Sequence, residues 1–298
     1  MMNKWSTISF QIEVPEIYQL EVTNHCNLSC PACIRQDIRV KRPIGFLDLT
    51  LVKKMIARGD FSGSYFVELQ MYGEPLLHPK LDTIIKMVKT TGCKVGMSTN
   101  GVLLLENLHV VKELDYLTIS VDSIDKTEYK YLRSGKVLAK LVSDIDTVLG
   151  LDPRPMVDLQ VINFWSCENQ LPGLVNLAQR KQWDVTCRAV PDCFAAYQDR
   201  PYPEENLSQL CLNPWLSVSI QWDGDCLPCC FSAGNYNVYG NLHTWSLKDI
   251  WKTSPIRQYL MRNMIANYNV QNMPCSLCFM RSPVLFHMRM LTENLRRS

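Results

Sequence analysis

A chain of 298 residues, 47% apolar and 20% charged, has the composition of a folded protein with room for one large domain or a large and a small one. Its formal net charge of +2 excludes electrostatic capture of nucleic acid or anionic membrane as an organising theme. No apolar run is long enough to span a bilayer, and the N-terminal stretch, broken by Lys4, Glu13, Pro15 and Glu16, does not read as a signal peptide.

From residue 17 to 190, short apolar runs alternate with segments of helical period. The predicted strands are 17–23, 65–71, 94–99, 116–122, 156–162 and 184–190. Between them "LTLVKKMIARG", "KLDTIIKMVKTTG", "LLENLHVVKEL", "AKLVSDIDTVLG" and "QLPGLVNLAQRKQ" carry the 3.6-residue apolar period, the second ending on Gly92. Such alternation requires crossovers and so implies an α/β fold with a parallel sheet. Periodicity alone fits either an open doubly wound sheet or a partial barrel. The pattern changes after Val190. Residues 191–210, rich in Pro and polar side chains, read as a linker or lid. Next, "WLSVSIQWDGDCLPCC" predicts a β-hairpin turning at Asp223-Gly224. "SLKDIWKTSPIRQYLMRNM" predicts a helix restarted at Ser254-Pro255. The expected organisation is a domain over 1–190, a linker over 191–210 and a small hairpin-and-helix domain over 211–298.

Thirteen cysteines, an odd number, in a chain expected to be cytoplasmic point to metal or cofactor ligation rather than to disulfides. Cys26, Cys30 and Cys33 form C-x3-C-x2-C directly after the first predicted strand. Structural zinc wants four ligands, and no local fourth is evident, since His25 adjoins Cys26 and points away in an extended chain. Three thiolates on a four-iron cluster leave one iron open to a small molecule. A zinc site on an α/β domain is the plain alternative.

"VTNHCNLSCPAC" resembles the signature of radical S-adenosylmethionine (SAM) enzymes. That resemblance implies a partial (β/α)6 TIM-like barrel over residues 17–190, with a cluster whose open iron chelates SAM. It also implies site residues at the strand ends. Gly73 and Glu74 of "MYGEP" would hold the methionine amino group. Ser98 and Asn100 lie in "STNG", and Ser120 and Asp122 in "ISVDS", with Ser120 contacting SAM. Arg133 would pair with the SAM carboxylate, and the adenine would stack at Val161 and Asn163. Two departures stand out: Ala32 replaces the usual aromatic before the third cysteine, and Tyr72 the first Gly of the GGE motif. The C-terminal ends of barrel strands are where such folds place chemistry.

Cys211, Cys229, Cys275 and Cys278 form C-x17-C followed by C-x2-C, enough thiolates for a closed four-iron or zinc site. The arrangement, with "GDCLPCC" and "YGNLHTWSLKDIW", resembles the Twitch domain, a shortened SPASM domain. No cysteine follows Cys278, so one auxiliary cluster is expected beside the SAM-binding one. Cys230 stands as an alternative to Cys229, and Cys226 reads as a small buried hydrophobe.

The implied reaction begins with an electron from a flavodoxin- or ferredoxin-like donor. SAM is cleaved to a 5′-deoxyadenosyl radical, which takes a hydrogen atom from a small polar substrate such as a sugar, cyclitol or aminoglycoside. Oxidation would use the auxiliary cluster. Epimerisation would use a thiol donor, for which Cys193, just past the sixth strand, is the candidate. Cys93, Cys167 and Cys187 read as packing residues, and His78 as a turn residue. A peptide-modifying maturase and a non-enzymatic zinc or iron–sulfur protein are the competing classes.

Overall fold

The computed structural model describes residues 12–31, 33–36, 41–163, 170–191, 211–230, 232 and 237–265. Six strands alternate with helices: β1 (Glu16–Leu20), α1 (Leu49–Ala57), β2 (Phe66–Glu68), α2 (Leu81–Lys89), β3 (Lys94–Thr99), α3 (Leu108–Val111), β4 (Tyr116–Ser120), α4 (Lys126–Leu132), α5 (Leu138–Leu149), β5 (Met156–Asn163), α6 (Leu171–Lys181) and β6 (Thr186–Pro191). The C-terminal part adds α7 (Asn213–Leu216), β7 (Ser217–Ile220), β8 (Asp225–Leu227), β9 (Gly240–Asn241), α8 (Leu247–Thr253) and α9 (Pro255–Ile265).

Strands β1 to β6 are parallel and lie in sequential order. A doubly wound sheet reverses its order at a switch point. This one does not, so the fold is a partial TIM-like barrel with a small C-terminal hairpin-and-helix region.

Register divides the sheet into two faces. Val67, Val95, Met97, Leu117, Ile119, Val157, Leu159 and Val161 are buried in one continuous core with α2, α5 and α6. The opposite face is polar: Ser98 pairs with Thr118, Thr118 with Asp158, Ser120 with Gln160, and Gln160 with Arg188. The helices have identifiable starts. Asp48 caps α1 by accepting from Thr50 N, and Asp125 caps α4 by accepting from Thr127 N and Glu128 N.

The predicted hairpin is present as β7 and β8, with Gly224 at φ 87° in the turn. Its first strand also pairs in parallel with β1, so the hairpin continues the barrel sheet. Buried groups weld this join. Glu21, fully buried, accepts from Arg42 Nη2 at 2.6 and 2.8 Å and from Trp222 N at 3.2 Å. Leu247 N, at the start of α8, donates to Asp60 Oδ1 at 2.9 Å. Arg58 donates to the carbonyls of Trp245 and Leu242 at 2.8 and 2.7 Å. Gly45 passes so close to the Trp222 indole that a Cβ there would lie 2.3 Å from the ring. Among the described residues, no helix is long and apolar enough to cross a membrane.

Candidate functional site

The loop after β1 carries Cys26, Cys30 and Cys33. Cys33 N donates to Cys30 O at 3.0 Å and Gln36 N to Cys33 O at 2.9 Å, so the loop turns tightly through the second and third cysteines. Burial pushes the thiols of Cys26 and Cys33 up, and each feels Cys30 as a neighbouring charge. Thiols in that setting become thiolates when a cation takes the proton's place. Among the described residues, no three His, Cys, Asp or Glu side chains converge on a single ion.

The βα loops at the C-terminal strand ends close around this loop. Gly73 packs so tightly that a Cβ would lie 2.1 Å from Thr23 O and 2.6 Å from His25 O. Glu74 N donates to His25 O at 2.7 Å. The buried Glu74 carboxylate accepts from Leu76 N (3.2 Å), Thr99 Oγ1 (2.7 Å) and Asn100 N (2.8 Å). Burial nevertheless raises its pKa, with those donors acting in the opposite sense. Three donors leave about one lone-pair direction of the carboxylate for a ligand ammonium. Sequence reasoning missed this clamping role, in which the Gly-Glu pair fixes the cysteine loop against β3.

Asn100 Nδ2 donates to Asn27 Oδ1 at 2.8 Å and lies 3.7 Å from Cys26 Sγ. Ser29 N donates to Ser134 Oγ at 3.0 Å, and Ser134 Oγ in turn points its hydroxyl at Cys30 Sγ, 4.0 Å away. Arg133 and Asp122 form an ion pair at 2.7 Å, with side chains 10% and 6% exposed. Asp122 sits at φ 62°, in the left-handed region, at the end of β4. Burial raises its pKa and Arg133 opposes that. Arg133 also interacts with Cys30. Arg133 Nε and Asp122 Oδ1 are buried without a hydrogen-bond partner, so this rim retains a donor and an acceptor for a zwitterion. The donor set of three thiols, and these two open atoms, fit a cluster with an amino-acid-bearing ligand.

Ser98 and Ser120 lie on the polar face of the sheet, the first buried and the second half-buried. Val161 differs from its expected role. It is 0% exposed and points into the helix-covered core, because odd positions of β5 face that side. Gln160 and Ile162 take the open face. Asn163 ends β5 in register with Pro191. His78, expected as a turn residue, is buried: Nε2 bonds Leu47 O at 3.0 Å and Nδ1 accepts from Lys80 N at 3.1 Å. Its ring also meets Phe46 edge to face, and Phe46 meets His25.

In the C-terminal region, Cys211 lies just before α7, and Cys229 and Cys230 follow β8, all half-buried. Cys226 is fully buried in the core. Ser232 Oγ, Asn237 Nδ2 and Gln221 Nε2 are buried with no hydrogen-bond partner. Such donors suit the sulfurs of a cluster. Ala32, Cys167, Cys193, Cys275 and Cys278 lie outside the described residues.

The family model for the radical SAM superfamily matches residues 20–142, and that for SPASM, an iron–sulfur cluster-binding domain, matches 211–279. The chain is a radical SAM protein with a SPASM-type domain. Family membership implies iron–sulfur and SAM chemistry, and radical SAM enzyme activity. This radical SAM chain is 26% identical to the tungsten-containing aldehyde ferredoxin oxidoreductase cofactor-modifying protein of Pyrococcus furiosus, over 88% of this chain and 86% of that one. It is 28% identical to GTP 3′,8-cyclase of Chlorobaculum tepidum, covering 57% of this chain and about half (51%) of the cyclase. In fold it is similar to Streptococcus suis SuiB bound to S-adenosylmethionine, with TM-score 0.64 at 14% identity over 90% of this chain and 72% of SuiB. It is also similar to BtrN in complex with AdoMet and 2-DOIA, with TM-score 0.51 at 17% identity over 89% and 93%.

Proposed function

We propose that this radical SAM protein abstracts hydrogen from a small polar metabolite of the sugar, cyclitol or aminoglycoside kind, and oxidises or epimerises it with the help of one auxiliary cluster of the Twitch type. The observation that carries this reading is the cysteine loop held by Gly73 and Glu74 against Asn100 and the Asp122–Arg133 pair. Cys26, Cys30 and Cys33 would hold the first cluster, and Cys211, Cys229, Cys275 and Cys278 the second. When bound, the first cluster with SAM supplies a 5′-deoxyadenosyl radical.

The remaining work falls to the chain's own residues. Arg133 pairs with a carboxylate, and Glu74 directs its remaining lone pair at an ammonium. Asn100 steadies Cys26. The apolar core behind the strands fixes these groups on rigid elements, so the reacting carbon meets a preorganised site. The polar inner face of β4 to β6 supports a hydrogen-bonding substrate. The Pyrococcus relative, whose name describes a cofactor-modifying protein, is in keeping with a metabolite-sized substrate.

Anaerobic reconstitution tests the reading. About eight irons per chain and cleavage of SAM with dithionite are expected from two four-iron clusters. Zinc in their place would reject it. Reaction in deuterated water separates the two outcomes: epimerisation through an exchangeable thiol labels the product carbon, and oxidation does not.

A further inference from the structure

The polar face of the sheet carries a charge pair that the SAM rim does not use. Parallel register sets Thr118 of β4 beside Asp158 of β5, and Gln160 of β5 beside Arg188 of β6. Arg188 Nη2 donates to Thr118 Oγ1 at 3.1 Å. Its Nε lies 3.8 Å from Asp158 Oδ2, close enough for an ion pair but too far for a hydrogen bond. That Nε is buried and has no hydrogen-bond partner. The Asp158 and Arg188 side chains are 30% and 33% exposed. Ser120 and Gln160, half-buried, continue the same face toward the C-terminal strand ends.

Two opposite charges thus stand side by side without closing on each other. A pair serving only to join β5 to β6 gains most when its atoms meet at hydrogen-bond distance. This pair keeps donors on the guanidinium and acceptors on the carboxylate. A lone anionic group would be repelled by Asp158, and a lone ammonium by Arg188. A hydroxyl both donates and accepts, so adjacent hydroxyls satisfy both partners together. Glu68 of β2, itself buried, also interacts with Arg188.

We propose that Asp158 and Arg188 are the specificity-determining pair of this enzyme, and that they bind a polyhydroxylated ring through adjacent hydroxyls. One hydroxyl donates to the Asp158 carboxylate and its neighbour accepts from the Arg188 guanidinium. The proposal rests on the small-polar-substrate reading and commits it to a class: a cyclitol or sugar ring, not a peptide.

The test is equilibrium dialysis of the anaerobically reconstituted protein, with SAM present, against radiolabelled myo-inositol and glucosamine. Saturable binding of at least one ring is expected. Asp158→Asn and Arg188→Gln should each weaken it about tenfold or more, the loss of one charge-assisted hydrogen bond. Met156→Ala, at the far end of β5 on the same face, should bind like the parent. If Arg188→Gln does not fold, Asp158→Asn decides, because Glu68 still balances Arg188. Absence of saturable binding by both rings, equal binding by the variants, or binding of an unstructured peptide probe alone would overturn the proposal. SAM cleavage measured in parallel separates the failures: cleavage without ring binding rejects this inference alone, and no cleavage rejects the radical reading beneath it.

Discussion

Replacing Gly73 with alanine tests the claim that the β2 loop positions the cysteine loop. The new Cβ would lie 2.1 Å from Thr23 O. An ordinary C···O approach is about 3.3 Å, so one backbone segment must retreat by roughly 1.2 Å. The retreating segment, Thr23 to His25, is bonded to Cys26. The Glu74 N to His25 O hydrogen bond, 2.7 Å long, spans the same contact and would open with it. Overpacking of this kind costs about 1–3 kcal/mol and the lost bond about 1 kcal/mol more, so the variant should lose about 2–4 kcal/mol. For a chain of this size that is a fall of roughly 3–6 °C in melting midpoint. Iron bound after anaerobic reconstitution should drop by up to half, with SAM cleavage falling further. Gly150→Ala is the control: that residue is at φ −83° and its nearest neighbours stand 3.5 Å or more from the added Cβ. Unchanged melting and iron content in Gly73→Ala would refute the positioning argument.

Other consequences follow from the same geometry. Arg133→Met should destabilise the fold by about 3–5 kcal/mol by leaving Asp122 buried and unpaired, and the double variant with Asp122→Asn should recover most of it; denaturant titrations of the four proteins check this. His78 has its pKa lowered, first by burial, so the unfolded chain binds the proton more readily. Its contribution is therefore full above the ordinary value of about 6.5 and is lost as pH falls through the lowered one. The melting gap between the parent and His78→Gln should shrink from neutral to mildly acidic pH, and a gap that widens would contradict the assignment. Cys211→Ala and Cys229→Ala should each remove about half the iron, the share of one four-iron cluster, while SAM still perturbs the remaining cluster; Cys230→Ala should remove none, as iron analysis and EPR will show.

Much of the fold was legible because local pattern and burial agree. "VDLQVI" alternates, and Val157, Leu159 and Val161 do share the covered face. Followed through, that alternation would have removed Val161 from the list of ligand contacts. Helix α4 was missed because its apolar positions are few, although Asp125 followed by Thr127 and Glu128 is a capping signal. The pairing of β7 with β1 joins distant parts of the chain and leaves no local trace. The roles of Gly73 and His78 were hidden for the same reason: each is set by a contact with a loop far off in sequence, Thr23–His25 in one case and Leu47 in the other.

The most direct measurement of the central claim is EPR of the reduced, anaerobically reconstituted protein with and without SAM, in the parent and in Cys26→Ala, Cys30→Ala and Cys33→Ala. The parent should show a cluster signal that changes when SAM is added, and each variant should lose that SAM-dependent change together with about half the iron. A parent that takes up zinc in place of iron, or a variant that keeps the SAM-dependent change, would contradict it.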